Sequence, residues 1–175
     1  MLKELIVRFD ARLTVAITGW PQWLRTPFLA VSFIGQPVCV IFIALCVAAF
    51  NLSNTPIIVA IAATLGAMLL NTLLKHFVHR PRPDTLYVSN MYFKSSSFPS
   101  GHAFGTVVVF GFIGYVAAMY IAPPLGAILA TLIWLITIAI GISRVYLGAH
   151  YPTDVVAGWL LGGLLLGIII GVVHP

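Results

Sequence analysis

From residue 27 onward the chain alternates long apolar runs with short polar breaks. Five runs, near 27–50, 56–74, 103–121, 124–142 and 153–173, approach or exceed the roughly 20 residues of helix that a bilayer crossing needs. Two breaks, Asn51-Leu52-Ser53-Asn54-Thr55 and Ala122-Pro123-Pro124, are short turns. The second and third runs, and the fourth and fifth, are therefore joined on the opposite face, and those joins carry the polar residues. Residues 1–22 differ. Leu2, Leu5, Ile6, Phe9, Leu13 and Ile17 recur at helical spacing with Lys3, Glu4, Arg8, Asp10 and Arg12 between them, which predicts an amphipathic helix lying in the membrane interface. A cleaved leader is the rival, but Arg8, Asp10 and Arg12 interrupt any apolar core it would need. Trp20, Pro21 and Trp23 then form an interfacial anchor.

Composition agrees with this pattern. With 175 residues, 61% hydrophobic and 7% charged, the chain cannot surround itself with a solvated surface. The expected fold is an all-α integral membrane bundle, a single domain over 1–175, with five transmembrane helices plus the interfacial helix. The last run carries Gly158, Gly162, Gly163, Gly167 and Gly171, two overlapping ladders of small residues that suit close packing inside the bundle more than a dimer interface. Oligomeric state is not legible. Cys39 and Cys46 fall about 10 Å apart along one helix and cannot bridge each other there.

The formal charge of +5 is clustered at the N-terminus and beside the histidines, which argues against a nucleic-acid partner and for an anionic lipid headgroup. Three polar islands share one side of the membrane: Lys75 to Pro83, Pro99-Ser100-Gly101-His102, and Ser143 to Asp154. A lone cation at a boundary is usually a snorkelling anchor, but three converging islands indicate a site. Pro152 suits the first helical position, so His150 stands just before a helix and Asp154 in its first turn, within reach of His150. Ser100 and Gly101 begin another helix, whose free N–H groups attract an anion. Lys75, Arg82 and Arg144 can neutralise phosphoryl oxygens, while His102 and His150 can divide nucleophilic and acid/base duties.

Lys75-x6-Arg82-Pro83, Pro99-Ser100-Gly101-His102 and Ser143-Arg144-x5-His150-x3-Asp154 resemble, in order and spacing, the three signatures of the type 2 phosphatidic acid phosphatase superfamily, which also includes vanadium haloperoxidases. The resemblance covers roughly residues 70 to 160. It implies a bacterial membrane lipid phosphatase similar to phosphatidylglycerophosphate or undecaprenyl-diphosphate phosphatases, working without cofactor or metal on a lipid phosphate or diphosphate. Carried over by motif position, Lys75, Arg82, Ser100, Gly101 and Arg144 hold the phosphate, His102 protonates the leaving group, His150 attacks phosphorus and Asp154 orients His150.

Many members of that superfamily have six spans, one more than the five expected here. Lys3, Arg8, Arg12 and Arg25 share a face with the site, and taken alone this bias places it in the cytoplasm. The resemblance implies the extracytoplasmic face of a bacterial cytoplasmic membrane, and that placement is adopted, since the motif cations have catalytic uses. Other readings are a bundle that merely binds or transports anionic lipid, a haloperoxidase, and a metal site in which His76 and His79 join His102 and His150. The last lacks a Cys or Glu to complete the set. Arg80 and Asp84 either shape the loop or recognise a headgroup. Tyr92, Phe93 and Phe98 are either ordinary interfacial aromatics or the wall of a lipid access route.

Overall fold

Ser100 sets the start of the helix around which the rest is arranged. Its backbone is extended and its side chain accepts a hydrogen bond from the Ala103 N–H, the usual device for satisfying a free donor at a helix start. The helix that follows, Gly101–Tyr120, is buried on nearly every side along Ala103 to Phe112. A helix apolar all round belongs at the centre of a bundle. The structure, a computed structural model, describes residues 1–49, 55–91 and 95–173; among these the regular elements are all helical. In chain order they are α1 (Leu2–Thr18), a 3-10 turn at Gln22–Leu24, α2 (Arg25–Ile34), α3 (Pro37–Ala49), α4 (Thr55–Phe77), the single turn α5 (Leu86–Ser89), α6 (Gly101–Tyr120), α7 (Leu125–Tyr146) and α8 (Pro152–Val173).

α6 packs most extensively against α7 and α8. Phe104, Val107, Val108 and Phe112 meet Leu166 and Ile169 of α8, and on its other side Val109 and Phe110 meet Val40 and Ala44 of α3 and Ile140 of α7. The approach of α8 depends on glycine. A Cβ at Gly158 would lie 2.8 Å from the Ser100 carbonyl oxygen, and one at Gly162 would lie 2.9 Å from that of Phe104. Among the described residues a Cβ at Gly163, Gly167 or Gly171 would meet nothing within 4 Å, whereas the Gly158 and Gly162 ladder is packed inside the bundle. Burial is inverted elsewhere: Leu132, Leu135 and Ile136 of α7 and Leu160, Leu164 and Ile168 of α8 are exposed apolar side chains on long apolar helices, a surface suited to lipid.

Among the described residues three helices, α6, α7 and α8, are long and apolar enough to cross a membrane, or four if a bent pair counts as one span. The protein is an all-helical integral membrane protein, and one of its expected runs is broken. The run at 27–50 is not one continuous helix; the segments Gln22–Ile34 and Pro37–Cys46 meet at a bend of 52°. Gly35-Gln36-Pro37 causes it, because Pro37 lacks the N–H that would continue the ladder and instead fits the first position of a new helix. Gly35 also lets the bend sit against the core, since a Cβ there would collide with Ile140 Cγ2 and fall 3.4 Å from the His102 ring. The expected turn at 51–54 lies outside the described residues. α1 is helical as expected, yet Asp10 is turned inward and is only 2% exposed.

Candidate active site

Gly148 shapes the loop that presents His150. Its φ of +70° reverses the chain after α7, a conformation that favours glycine. The Arg144 carbonyl can then accept from both Ala149 N–H at 2.9 Å and His150 N–H at 3.2 Å. Thr85 locks the turn from outside by donating to the Gly148 carbonyl at 3.1 Å. His150 is buried, with Nδ1 facing Asp154 Oδ2 at 3.6 Å, longer than a direct hydrogen bond. Ser97 lies between them, donating to Asp154 Oδ2 at 2.5 Å with its oxygen 3.4 Å from His150 Nδ1. On the other edge of the ring, Arg82 Nη1 approaches Nε2 at 3.2 Å.

Asp154 is fully buried and fully engaged. Besides Ser97, the Tyr151 N–H donates to Oδ2 at 2.9 Å, and Arg80 Nη1 donates to Oδ1 at 2.6 Å. Arg80 in turn donates through Nη2 to Asp10 Oδ2 at 2.6 Å and through Nη1 to Thr153 Oγ1 at 2.8 Å, and its guanidinium lies over the Tyr151 ring. Asp10 also accepts from the Thr153 N–H at 2.9 Å and its hydroxyl at 2.6 Å. Burial alone would lower the Arg80 pKa, but its bonds to Asp10 and Asp154 and their charges raise it above its ordinary value. Burial drives the His150 imidazole the other way, down to about 4; Arg82 and Arg144 add to the lowering and Asp154 opposes it.

The structure brings most of the expected site residues to one cavity of about 790 Å³. Lys75, Arg82, Arg144, Gly101, His102 and His150 line its polar end, and Val38, Ile41, Met68, Leu69 and Phe104 its apolar end. Ser100 is fully buried behind this wall, holding the start of α6 with its side chain and donating its own N–H to the Asp154 carbonyl at 3.0 Å. Lys75 donates to the Ser96 carbonyl at 2.9 Å, and Arg82 to the carbonyls of Ser95 at 2.9 Å and Ala149 at 3.0 Å. Arg144 donates to Ser32 and, at 3.1 Å, to Tyr87, while its Nε and the Nε2 of His102 are buried without a partner among the described residues.

His76, His79 and Asp84 line a neighbouring depression of about 770 Å³, away from His102 and His150. Among the described residues no three His, Cys, Asp or Glu side chains gather as a metal-ligand set. Phe98 is half-buried and does not line the cavity; Tyr92 and Phe93 lie outside the described residues. The sequence reading missed Ser97 and Tyr87 and assigned Asp10 to the surface. A signal for Asp10 was present: Ile6, Asp10, Leu13 and Ile17 fall on one helical stripe, so the acid interrupts the apolar face instead of standing opposite it.

Known proteins resemble this chain in sequence and in fold. The chain is 38% identical over 106 residues to phosphatidylglycerophosphatase B of Bacillus subtilis, covering 59% of this chain and 51% of that protein. It is 36% identical over 103 residues to a lipid A 1-phosphatase of Rhizobium etli, covering 54% of this chain and 40% of that protein. The matched region thus spans about half or less of the length of these curated relatives. Among solved structures, the transmembrane PAP2 type phosphatidylglycerolphosphate phosphatase from Bacillus subtilis superposes with a TM-score of 0.77 at 27% identity, covering 93% of this chain and 83% of that one. Aquifex aeolicus LpxE superposes with a TM-score of 0.69 at 25% identity, covering 92% and 94%. Residues 56–175 match the family described as the PAP2 superfamily, and the chain belongs to that superfamily.

Proposed function

We propose that the protein hydrolyses a phosphate monoester or diphosphate on a membrane lipid through a phosphohistidine at His150, with no metal. The observation that carries this reading is the composition of the cavity: three cationic side chains and two imidazoles at one end, an apolar wall at the other, and two buried nitrogens, Arg144 Nε and His102 Nε2, without a partner among the described residues. A phosphoryl group accepts from Arg144 and from a protonated His102 and offsets the cations, while a hydrocarbon tail covers the apolar wall.

The chemistry follows from the partners of each ring. With Nδ1–H turned toward Ser97 and Asp154, His150 presents the Nε2 lone pair to the cavity, and burial keeps the imidazole neutral at pH 7. Arg82 Nη1 now lies against that lone pair; on binding substrate it exchanges His150 for a phosphoryl oxygen and frees the nucleophile. Attack forms the Nε2–P bond and breaks the bond from phosphorus to the leaving oxygen, which takes a proton from His102. Water then attacks phosphorus as His102 recovers a proton, releasing inorganic phosphate and neutral His150. Lys75, Arg82 and Arg144 hold the equatorial oxygens, and Gly101 brings the backbone N–H groups at the start of α6 close to them. Asp154 stabilises the imidazolium character that develops on His150.

The same reading takes α4 as a further span, since its 23 residues extend about 35 Å. It takes α1 as the interfacial helix, 1–175 as one domain, and the site as opening on the extracytoplasmic face of a bacterial cytoplasmic membrane. Purified protein in detergent, given phosphatidylglycerophosphate, phosphatidate and a polyprenyl diphosphate in excess chelator, should release inorganic phosphate from at least one, and vanadate should block it. Tight lipid binding with no release from any would favour the binding bundle, and activity restored only by a divalent ion would overturn metal independence.

A further inference from the structure

One buried donor in the cavity belongs to none of the three motifs. Asn71, on α4, is 4% exposed, lines the cavity, and has no hydrogen-bond partner for its Nδ2 among the described residues. Its Oδ1 is the closest side-chain atom to the space beside Gly101, 3.8 Å from where a Cβ would stand. An amide buried without a partner is costly, and a polar residue inside a membrane helix marks a site by default. The neighbouring Thr72 offers no such donor, because its hydroxyl already donates to the Met68 carbonyl at 2.9 Å.

Position along α4 indicates what Asn71 meets. Lys75 is one turn nearer the polar end of the helix, and Met68 and Leu69 are about one turn deeper. The wall therefore passes from cation to neutral donor to hydrocarbon in steps of about 5 Å. A lipid phosphate has the same order when its leaving group carries an acceptor oxygen close to the phosphorus: phosphoryl, then oxygenated link, then chain.

Resting on the phosphatase reading, we infer that Asn71 donates to an oxygen of the leaving group, so that the site prefers lipid phosphates with an acceptor next to the scissile phosphate over a plain alkyl or prenyl monophosphate. That acceptor has two sources, the ester of a glycerolipid or the second phosphate of a diphosphate.

The test compares kcat/KM of the unsubstituted protein and Asn71→Leu on dioctanoyl phosphatidate, farnesyl diphosphate and farnesyl monophosphate. Loss of one neutral hydrogen bond corresponds to a fall of about threefold to tenfold. That fall is expected on phosphatidate, on the diphosphate, or on both, with farnesyl monophosphate within about twofold. A loss confined to phosphatidate identifies the ester oxygen, and one confined to the diphosphate identifies the second phosphate. Equal loss on all three, or none on any, overturns the inference. Folding is read separately, from a monodisperse elution in detergent and an unchanged helical circular dichroism spectrum, and if Asn71→Leu fails that check, Asn71→Ser is read by the same kinetic criteria. An unsubstituted protein that releases phosphate from none of the three overturns the phosphatase reading, and the substrate preference with it.

Discussion

Arg80 joins Asp10 to Asp154, with a nitrogen 2.6 Å from each carboxylate. One guanidinium thus ties the first helix of the chain to the carboxylate behind the proposed nucleophile. Asp10 and Asp154 are almost wholly buried and Arg80 is partly covered, so neither acid has water as an alternative partner. Removing one member of such a group leaves a buried charge uncompensated, which is more damaging than the pair's net worth suggests.

Arg80→Gln is therefore expected to lower kcat by about tenfold to hundredfold with a small change in KM, because His150 is misplaced while the phosphate cations are intact. Asp10→Asn should act in the same direction and more weakly, since an amide oxygen can still accept from Thr153. Steady-state kinetics on a soluble short-chain lipid phosphate reads both. An increase in KM at constant kcat would place Arg80 in headgroup binding instead.

The two histidines separate by leaving group. If His102 is the general acid, His102→Ala should lose most, on the order of 10²–10⁴-fold, with a lipid alcohol as leaving group and least with a nitrophenyl ester. His150→Ala should be inactive on both, and Asp154→Asn should fall between. Nitrophenyl ester turnover by His150→Ala, with none by His102→Ala, would reverse the two roles.

His150 should remain neutral well into acid. Because its pKa is lowered to about 4, the proton that a free imidazole binds near 6.5 is not taken up until the pH approaches 4. The unfolded chain takes up that proton first, so its contribution to stability falls as pH drops through the window from about 6.5 to about 4. An NMR titration of labelled histidine in micelles, assigned with His150→Gln, checks the first statement. A midpoint near 6.5 would contradict it.

Sidedness can be read directly. In a variant lacking Cys39 and Cys46, Asp84→Cys is expected to react with an impermeant thiol reagent added outside intact cells. Reaction only after lysis would place the site in the cytoplasm, as the cationic bias around Arg8, Arg12 and Arg25 suggests.

The motif residues were legible because a cation or imidazole beside an oily helix has few reasons to be there. Lys75, Arg82, Gly101, His102, Arg144 and His150 accordingly meet at one cavity. Ser97 and Tyr87 were not legible, since a serine in a serine-rich loop and a tyrosine near an interface are ordinary until packing brings them to Asp154 and Arg144. Hydropathy alone places four helices to within a few residues, while the run at 27–50 is bent at Gly35-Gln36-Pro37, where local backbone chemistry breaks a continuous apolar pattern into two helices. Asp10 required the partner as well as the period: its place on the apolar stripe becomes meaningful only once Arg80 is seen to meet it.

The covalent intermediate tests the central claim most directly. Protein mixed with a lipid phosphate radiolabelled at phosphorus and quenched in alkali within a few turnovers should retain label in an acid-labile, alkali-stable bond, in the peptide containing His150. His150→Ala should retain none under the same conditions. Steady release of phosphate by the unsubstituted protein with no retained label, or label on a residue other than His150, would contradict the account.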